Sequence, residues 1–135
     1  LLASTVTGIL AQRLVRRLCP SCAAPAKSSP ALTARLDELR RASGGAAAAL
    51  PHDGLRAGVG CHACRNTGFS GRTSIGELLI VDDQMREHII GRRPERALED
   101  AAARSGMISL FQDGLAKAYA GETTLDEVLR VTRMG

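Results

Sequence analysis

Aromatic residues are nearly absent from this chain. Its 135 residues include two Phe, one Tyr and no Trp, so aromatics make up only 2% of the sequence. A core with so few aromatic side chains must be built from Leu, Ile, Val and Ala, a composition that favours helices. Proteins that bind single-stranded nucleic acid stack the bases on aromatic side chains, so this scarcity argues against that class.

Long hydrophobic runs and a phosphate-binding loop are also missing. No apolar stretch reaches the roughly 18 residues that a membrane-spanning helix requires. No segment has the Gly-x-x-x-x-Gly-Lys-Ser/Thr order that cradles nucleotide phosphates, so this chain alone is expected neither to bind ATP tightly nor to hydrolyse it. No Ser/His/Asp or Cys/His arrangement stands out, and we assign no catalytic residue. Because the sequence starts without Met, we expect a fragment of a longer protein.

The four cysteines of the chain form two Cys-x-x-Cys pairs, Cys19 with Cys22 and Cys61 with Cys64. Two such pairs can converge on one tetrahedral Zn²⁺, and four thiolates leave no open position for water, so the metal would be structural. The alternatives are an iron site of the rubredoxin type, disulfides or a redox dithiol. A dithiol needs one pair rather than two, and nothing in the sequence suggests export. Zinc is therefore the favoured interpretation.

Apolar spacing and capping residues predict mostly helices. Apolar residues at three- and four-residue steps predict a helix over residues 2–18, and Ser29-Pro30 predicts the start of another that ends near Ala42. Residues 73–81 are predicted to form a strand. Further helices are predicted over residues 82–90, 94–105, 109–120 and 124–131, and each of the last two begins with a capping box.

Arg72 is the one candidate binding residue outside the cysteines. Gly68 and Gly71 precede it, and their conformational freedom would let the backbone approach a ligand closely. A turn arginine that pairs with Glu77 is the competing interpretation. The residues alone leave both interpretations open.

Several motifs, in chain order, resemble the C-terminal part of the type II secretion and type IV pilus assembly ATPases. They are Leu10-Ala11-Gln12-Arg13-Leu14-Val15-Arg16 before the first cysteine pair, Asn66-Thr67-Gly68-Phe69 and Gly71-Arg72-Thr73 after the second, Glu77-Leu78-Leu79, Asp113-Gly114, and Gly121-Glu122-Thr123-Thr124-Leu125-Asp126-Glu127-Val128-Leu129. The resemblance covers nearly the whole chain apart from residues 26–58. The cysteines are more typical of the secretion branch than of the retraction ATPases. Ser74-Ile75-Gly76 departs from the family pattern, in which a glycine usually lies nearer the arginine.

The resemblance implies an α+β, mainly helical fold that combines the end of a RecA-like core, a tetracysteine zinc lobe and a C-terminal helical subdomain. The last core helix would lie in residues 1–18, the zinc lobe in 19–64, a turn and a strand returning to the core in 65–81, and the helical subdomain in 82–135.

The same resemblance implies a parent protein that is a cytoplasmic, hexameric ATPase. The parent would use ATP and Mg²⁺, would lie on the inner membrane through secretion-platform proteins, and would drive pseudopilus assembly. Its hydrolysing elements would lie outside this chain, so the fragment is expected to be inactive. The fragment would contribute structural zinc and Arg72, the position expected to reach the nucleotide base. Its partners would be subunits of the homohexamer and platform proteins, with no nucleic acid and no membrane span of its own.

A zinc-ribbon module that binds nucleic acid is the alternative function. The net charge of +4 and the four cysteines fit that class. The few aromatics and the helical C-terminal part argue against it.

Overall fold

A long two-stranded ribbon forms the axis of this small α+β domain. The structure, a computed structural model, describes residues 7–27, 29–42, 51 and 53–132. Its strands are β1 (Gly8–Leu18), β2 (Ala23–Pro25), β3 (Arg56–Gly58) and β4 (Phe69–Ile80). Its helices are α1 (Pro30–Ala42), α2 (Asp83–Ile90), α3 (Glu95–Arg104), α4 (Leu110–Tyr119) and α5 (Leu125–Thr132). The strands form two antiparallel pairs, β1 with β4 and β2 with β3.

The predicted helix over residues 2–18 is wrong wherever the structure describes it. Residues 8–18 form β1, which pairs with β4 over nearly its whole length, while residues 2–6 lie outside the described part. Hydrophobic spacing alone separates a helix poorly from a strand that carries apolar side chains on both faces. β1 is such a strand, because Ile9 lies on one face and Leu10 on the other. The conformation of β1 is determined by its pairing with a strand that is distant in the sequence, rather than by the spacing of its own apolar residues.

The register of the ribbon shifts by one residue at the end nearest the cysteines. Arg16 lies opposite Arg72, whereas Leu18 lies opposite Phe69, so β4 carries one extra residue between these pairs. Gly71 lies in this bulge with φ +75°, a conformation that glycine adopts without strain. A Cβ at Gly71 would meet nothing within 4 Å. The glycine therefore accommodates the bulge.

One face of the ribbon packs against the last two helices. Val15 and Ile75 lie on this face and are fully buried. A Cβ added at Gly114 of α4 would lie 2.5 Å from Cγ1 of Val128 in α5 and 3.3 Å from Cδ1 of Ile75 in β4. Only glycine therefore lets α4 come this close to both neighbours.

The larger of two hydrophobic core clusters in the described part of the chain joins α1 to the C-terminal helices. Its buried members come from α1, from the segment before β3, and from α4 and α5: Leu36, Leu39, Leu55, Phe111, Leu115, Ala118, Leu125, Val128 and Leu129. A second cluster of Val81, Met85, Ala101 and Ala102 holds α2 and α3 beside the end of β4. The insert between the cysteine pairs is thus packed on the C-terminal helices. Among the described residues, no helix is both long enough and apolar enough to cross a membrane.

Capping residues confirm three of the predicted helix starts. The Ser29 hydroxyl accepts a hydrogen bond from a backbone N–H three residues later, at 3.1 Å, and the Asp82 carboxylate does the same at 2.8 Å. Ser109 and Gln112 form the predicted reciprocal capping box at the start of α4. These bonds satisfy N–H groups that the first turn of a helix leaves without partners.

Glu127 departs from the second predicted capping box. The Thr124 hydroxyl accepts from the Glu127 N–H at 3.1 Å, but the Glu127 carboxylate does not turn back to the start of α5. It accepts from the N–H and the guanidinium of Arg16, both at 2.8 Å, and from the Arg130 guanidinium at 2.9 and 3.0 Å. The sequence alone favours solvated faces for the acidic residues of the helices, Glu127 among them, but its side chain is only 3% exposed, so that expectation is wrong for Glu127. The buried carboxylate ties α5 to β1.

The environment of Glu127 lowers its pKa. Burial alone would raise the pKa, but the hydrogen bonds from Arg130 and Arg16 outweigh burial and lower it from 4.5 to about 2. A carboxyl group whose pKa is lower in the folded state stabilises the fold when it is ionised. This contribution is fully present above pH 4.5 and is lost as the pH falls toward 2.

We predict that Glu127→Gln lowers the free energy of unfolding at pH 7 by about 1–3 kcal/mol, because two guanidinium groups lose their charged partner. The difference from the unmodified protein should shrink as the pH falls from 4.5 to 2, since the carboxyl of the unmodified protein becomes protonated there. Denaturant unfolding across this range measures both effects. Asp126→Asn, at an exposed neighbouring position, is the control. Equal losses in the two variants would contradict the assignment.

Candidate metal centre

The four cysteines converge at one end of the ribbon. Their Sγ atoms all lie within 4.8 Å of one another. The Cys19–Cys61 and Cys22–Cys64 sulfur distances are both 3.8 Å, and the Cys61–Cys64 distance is 3.7 Å. These distances exclude disulfide bonds, which are about 2.0 Å long. A tetrahedral zinc ion with Zn–S bonds near 2.3 Å places its sulfurs about 3.8 Å apart, so the spacing fits a tetrahedral metal ion.

The short strands β2 and β3 bring the two cysteine turns together. Cys19 directly follows β1, and its carbonyl accepts from the N–H groups of Cys22 and Ala23, which closes the first turn. The second turn, residues 61–64, lies between β3 and β4. Ala23 directly follows Cys22, and it pairs with Gly58 in the segment that leads into Cys61. The end of the first turn therefore lies beside the segment just before the second turn.

Two glycines let the segments around the cysteines pack backbone against backbone. A Cβ on Gly58 would lie 2.3 Å from the carbonyl oxygen of Gly68 and 2.5 Å from its Cα. The Gly68 carbonyl accepts from the Cys19 N–H at 3.0 Å, and its own N–H donates to the Cys64 sulfur at 3.2 Å. A side chain at position 58 would therefore push apart the two segments that hold the sulfurs.

Backbone N–H groups point at two of the sulfurs and affect their pKa values. Burial raises the pKa of Cys64, but N–H groups of Cys61 and Gly68, together with neighbouring thiols, lower it to about 6. The Gly60 N–H lowers the pKa of Cys22, whereas burial and the surrounding thiols raise it to about 11. Cysteine binds a metal ion as the thiolate, so metal binding displaces the protons that the four thiols carry. Metal affinity should fall as the pH is lowered.

Arg72 does not belong to this centre. It is exposed on β4, opposite Arg16, and it has no hydrogen-bond or ion-pair partner among the residues that the structure describes. The competing pair with Glu77 is not formed. Glu77 lies on the other face of the ribbon, where its carboxylate accepts from the Leu110 N–H at 2.8 Å.

Sequence reasoning missed the side chains that connect the metal centre to α5. The Arg16 guanidinium lies 4.1 Å from the centre of the Phe69 ring, and Phe69 directly follows Gly68. Arg16 also bonds to Glu127, and its carbonyl accepts from the buried Thr123 hydroxyl at 2.7 Å. Arg16 and Glu127 lie in motifs noted above, but they are far apart in the chain. No local pattern indicates their pairing.

We predict one Zn²⁺ per chain, held by Cys19, Cys22, Cys61 and Cys64. Elemental analysis of protein purified without added metal measures the content. Cys61→Ser should reduce it to less than half an equivalent, because three thiolates leave the shell open. Ser21→Ala, a change inside the first turn that removes no ligand, is the control. Four freely reacting thiols and no bound metal, or iron in place of zinc, would contradict the prediction.

Comparison with known proteins identifies similar sequences over nearly the whole chain. Residues 1–130 match the family described as "Type II/IV secretion system protein". The chain is 43% identical over 133 residues to "Type II secretion system protein HxcR" of Pseudomonas aeruginosa, which covers 98% of this chain and 23% of that protein. It is 40% identical over 131 residues to "Type IV pilus assembly ATPase PilB" of Thermus thermophilus, and this match covers 97% of this chain and 14% of that protein. It is 39% identical over 133 residues to "Type II secretion system ATPase E" of Vibrio cholerae, and this match covers 98% of this chain and 24% of that protein. The chain thus spans less than a quarter of the length of each of these relatives.

Proposed function

Because this chain belongs to the type II/IV secretion system protein family, we propose that it is the C-terminal part of a longer ATPase that powers type II protein secretion. The observation that carries this proposal is the similarity over 98% of the chain to a relative named as a secretion ATPase. The parent would use ATP and Mg²⁺. It would be a cytoplasmic homohexamer on inner-membrane platform proteins and would drive pseudopilus assembly.

The described elements suggest how this part would serve the parent. Residues 1–18 and 65–81 would supply β1 and β4 as the end of a RecA-like core, residues 19–64 the zinc lobe and residues 82–135 the helical subdomain. The core that α1 shares with α4 and α5 supports treating the lobe and the subdomain as one mechanical unit. A movement of the ATPase core would then be transmitted through the ribbon to both the zinc lobe and the helical subdomain.

The proposed metal is Zn²⁺ in a structural role. Four thiolates fill a tetrahedral shell, so no position remains for a water or a substrate. The ion would hold both cysteine turns, and with them β2 and β3, against the end of the ribbon. Binding of this kind contributes directly to the stability of the folded state.

Arg72 is the proposed contact with the nucleotide. It is exposed and without a partner in the described part of the chain, so its guanidinium is available to another group. Arg16, across the ribbon, is already paired with a carboxylate. A free guanidinium can stack on an adenine face or donate hydrogen bonds to it.

We predict that the full-length parent hydrolyses ATP in the presence of Mg²⁺ and that the 135-residue chain alone does not. This chain lacks the loop whose amides and lysine hold nucleotide phosphates. Steady-state phosphate release measures both proteins. Turnover by the isolated chain that survives further purification would contradict the second part, and a folded parent without turnover would contradict the first.

Arg72→Ala in the parent should weaken nucleotide binding a few-fold, since an exposed stacking contact is worth about 0.5–1 kcal/mol. The melting temperature should stay unchanged, because the described residues give Arg72 no partner to lose. Nucleotide titration and thermal melting measure the two effects. Arg17→Ala, which removes another exposed arginine near the same end of the ribbon, should change neither. Unchanged affinity with a lowered melting temperature in Arg72→Ala would assign this arginine to the fold.

A further inference from the structure

The four cysteines of the metal centre differ in how easily a small oxidant reaches them. Cys19 is 1% exposed and Cys64 is 6% exposed, whereas Cys22 and Cys61 are both partly exposed. A metal-bound cysteine is a thiolate, the form that oxidants attack, so metal binding gives all four sulfurs the same protonation state. Access and hydrogen bonding are then what distinguish them. Access favours Cys22 and Cys61, one from each Cys-x-x-Cys pair.

Backbone N–H groups distinguish the two partly exposed cysteines. The Gly60 N–H donates to the Cys22 sulfur at 3.3 Å, and the N–H groups of Cys61 and Gly68 donate to the buried Cys64 sulfur at 3.3 and 3.2 Å. In the described part of the chain, no N–H group donates to the Cys61 sulfur. A hydrogen bond draws electron density from a metal-bound thiolate, which makes that sulfur a weaker nucleophile. Among these four cysteines, Cys61 alone combines access with a sulfur that accepts no such bond.

Two other sulfurs lie close enough to complete a disulfide with Cys61. The Cys61–Cys64 sulfur distance is 3.7 Å and the Cys61–Cys19 distance is 3.8 Å. Bonded sulfurs lie about 2.0 Å apart, so a small movement of either neighbour is enough. An oxidised cysteine beside a second thiolate forms a disulfide, which is reversible, instead of the irreversible higher acids.

We propose that Cys61 is the redox-sensitive ligand of this metal centre, the first sulfur that a peroxide oxidises, and that its oxidation reversibly releases the metal. The proposal rests on the structural Zn²⁺ of the proposed function and assigns a regulatory chemistry to that site. Its reactants are a peroxide and thiolates of this chain, and the reverse reaction needs a thiol reductant.

The oxidation takes place in two steps. The Cys61 thiolate attacks one peroxide oxygen, so an S–O bond forms, the O–O bond breaks and the other oxygen leaves as hydroxide. The thiolate of Cys64 or Cys19 then attacks the Cys61 sulfur, so an S–S bond replaces the S–O bond and a second hydroxide leaves. Each of the two sulfurs loses one electron, the peroxide gains both, and two protons from solvent convert the hydroxides to water. The shell loses two of its four ligands, which releases the metal.

The packing of the insert makes this release reversible. β2 pairs with β3, and Leu36 and Leu39 are buried against the C-terminal helices. Neither interaction involves a sulfur, so both persist after the metal has left. A reductant that breaks the disulfide therefore restores four thiolates that the fold still holds close together.

Trapping of the sulfenic acid in the unmodified full-length parent tests the order of oxidation. The protein, with its metal, is treated with limiting hydrogen peroxide and a dimedone-type probe, and fragment-level mass spectrometry locates the label. Cys61 should carry at least about fivefold more label than Cys22, because the Cys22 sulfur accepts an N–H. Without the probe, the first disulfide should contain Cys61. Earlier labelling of Cys22, or a first disulfide between Cys19 and Cys22, would overturn the proposal.

Two histidine variants of the parent provide a matched comparison. Histidine can replace one cysteine in a tetrahedral zinc shell, so Cys61→His and Cys22→His should each retain one zinc. Under peroxide, Cys61→His should release zinc at least about fivefold more slowly than the unmodified protein, and Cys22→His should stay within about twofold of it. A chromogenic zinc indicator measures the release. If either variant fails to fold, the trapping experiment still decides, since it needs no variant.

Reversal is measured on the unmodified parent. Dithiothreitol with added Zn²⁺ should restore the zinc content after oxidation, because the insert keeps its packing. Equal slowing in both histidine variants, or zinc release that the reductant does not reverse, would contradict the proposed switch.

None of these measurements uses ATP turnover, so their outcomes are separate from those of the proposed function. A parent that hydrolyses ATP and holds one zinc, but is oxidised first at Cys22, would overturn only the role of Cys61. A parent that holds no zinc and is oxidised first at Cys61 would contradict the structural zinc and leave Cys61 as the reactive sulfur.

Discussion

The antiparallel pairing of β1 with β4 is the constraint on which the rest of this structure depends. β1 ends at Leu18, directly before the first cysteine, and β4 begins at Phe69, directly after Gly68. Once the strands pair, the start of the first cysteine turn, after Leu18, and the end of the second cysteine segment, before Phe69, are held close together in space. The same pairing builds the face on which α4 and α5 pack. Both the metal centre and the helical core therefore depend on a contact between residues far apart in the sequence.

The long insert between the cysteine pairs costs the fold little, because strand pairing and hydrophobic packing hold it and a metal at the four sulfurs would add a third link. The entropy of closing a loop grows only with the logarithm of its length. β2 and β3 pair within the insert, α1 buries Leu36 and Leu39 against the C-terminal helices, and the four sulfurs lie at metal-binding distances. A metal at the sulfurs therefore adds to the stability of a segment that already has its own packing.

Local chemistry in the sequence predicted much of this fold, and non-local contacts account for what it missed. Ser109 and Gln112 are three residues apart, so their capping box can be read from the sequence, and the spacing of the cysteine pairs is equally local. β1 was predicted as a helix because its partner strand is distant. Glu127 was placed on a solvated face for the same reason: its partner Arg16 lies at the other end of the chain. The placement of the exposed Leu10, Leu14, Leu78 and Ile80 on one face of the ribbon likewise follows only from the strand register.

The contacts of Arg16 link the metal centre and the C-terminal helices. Gly68 donates to the Cys64 sulfur, the next residue stacks under the Arg16 guanidinium, and Arg16 bonds to the buried carboxylate of Glu127 on α5. Arg16 and Arg130 both pair with the buried Glu127 carboxylate, and the Phe69 ring lies against the Arg16 guanidinium. A path of discrete polar and stacking contacts can carry a displacement that a loosely packed loop would absorb. Together with the core shared by α1, α4 and α5, these contacts join the tetracysteine segment and the C-terminal helices to the ribbon.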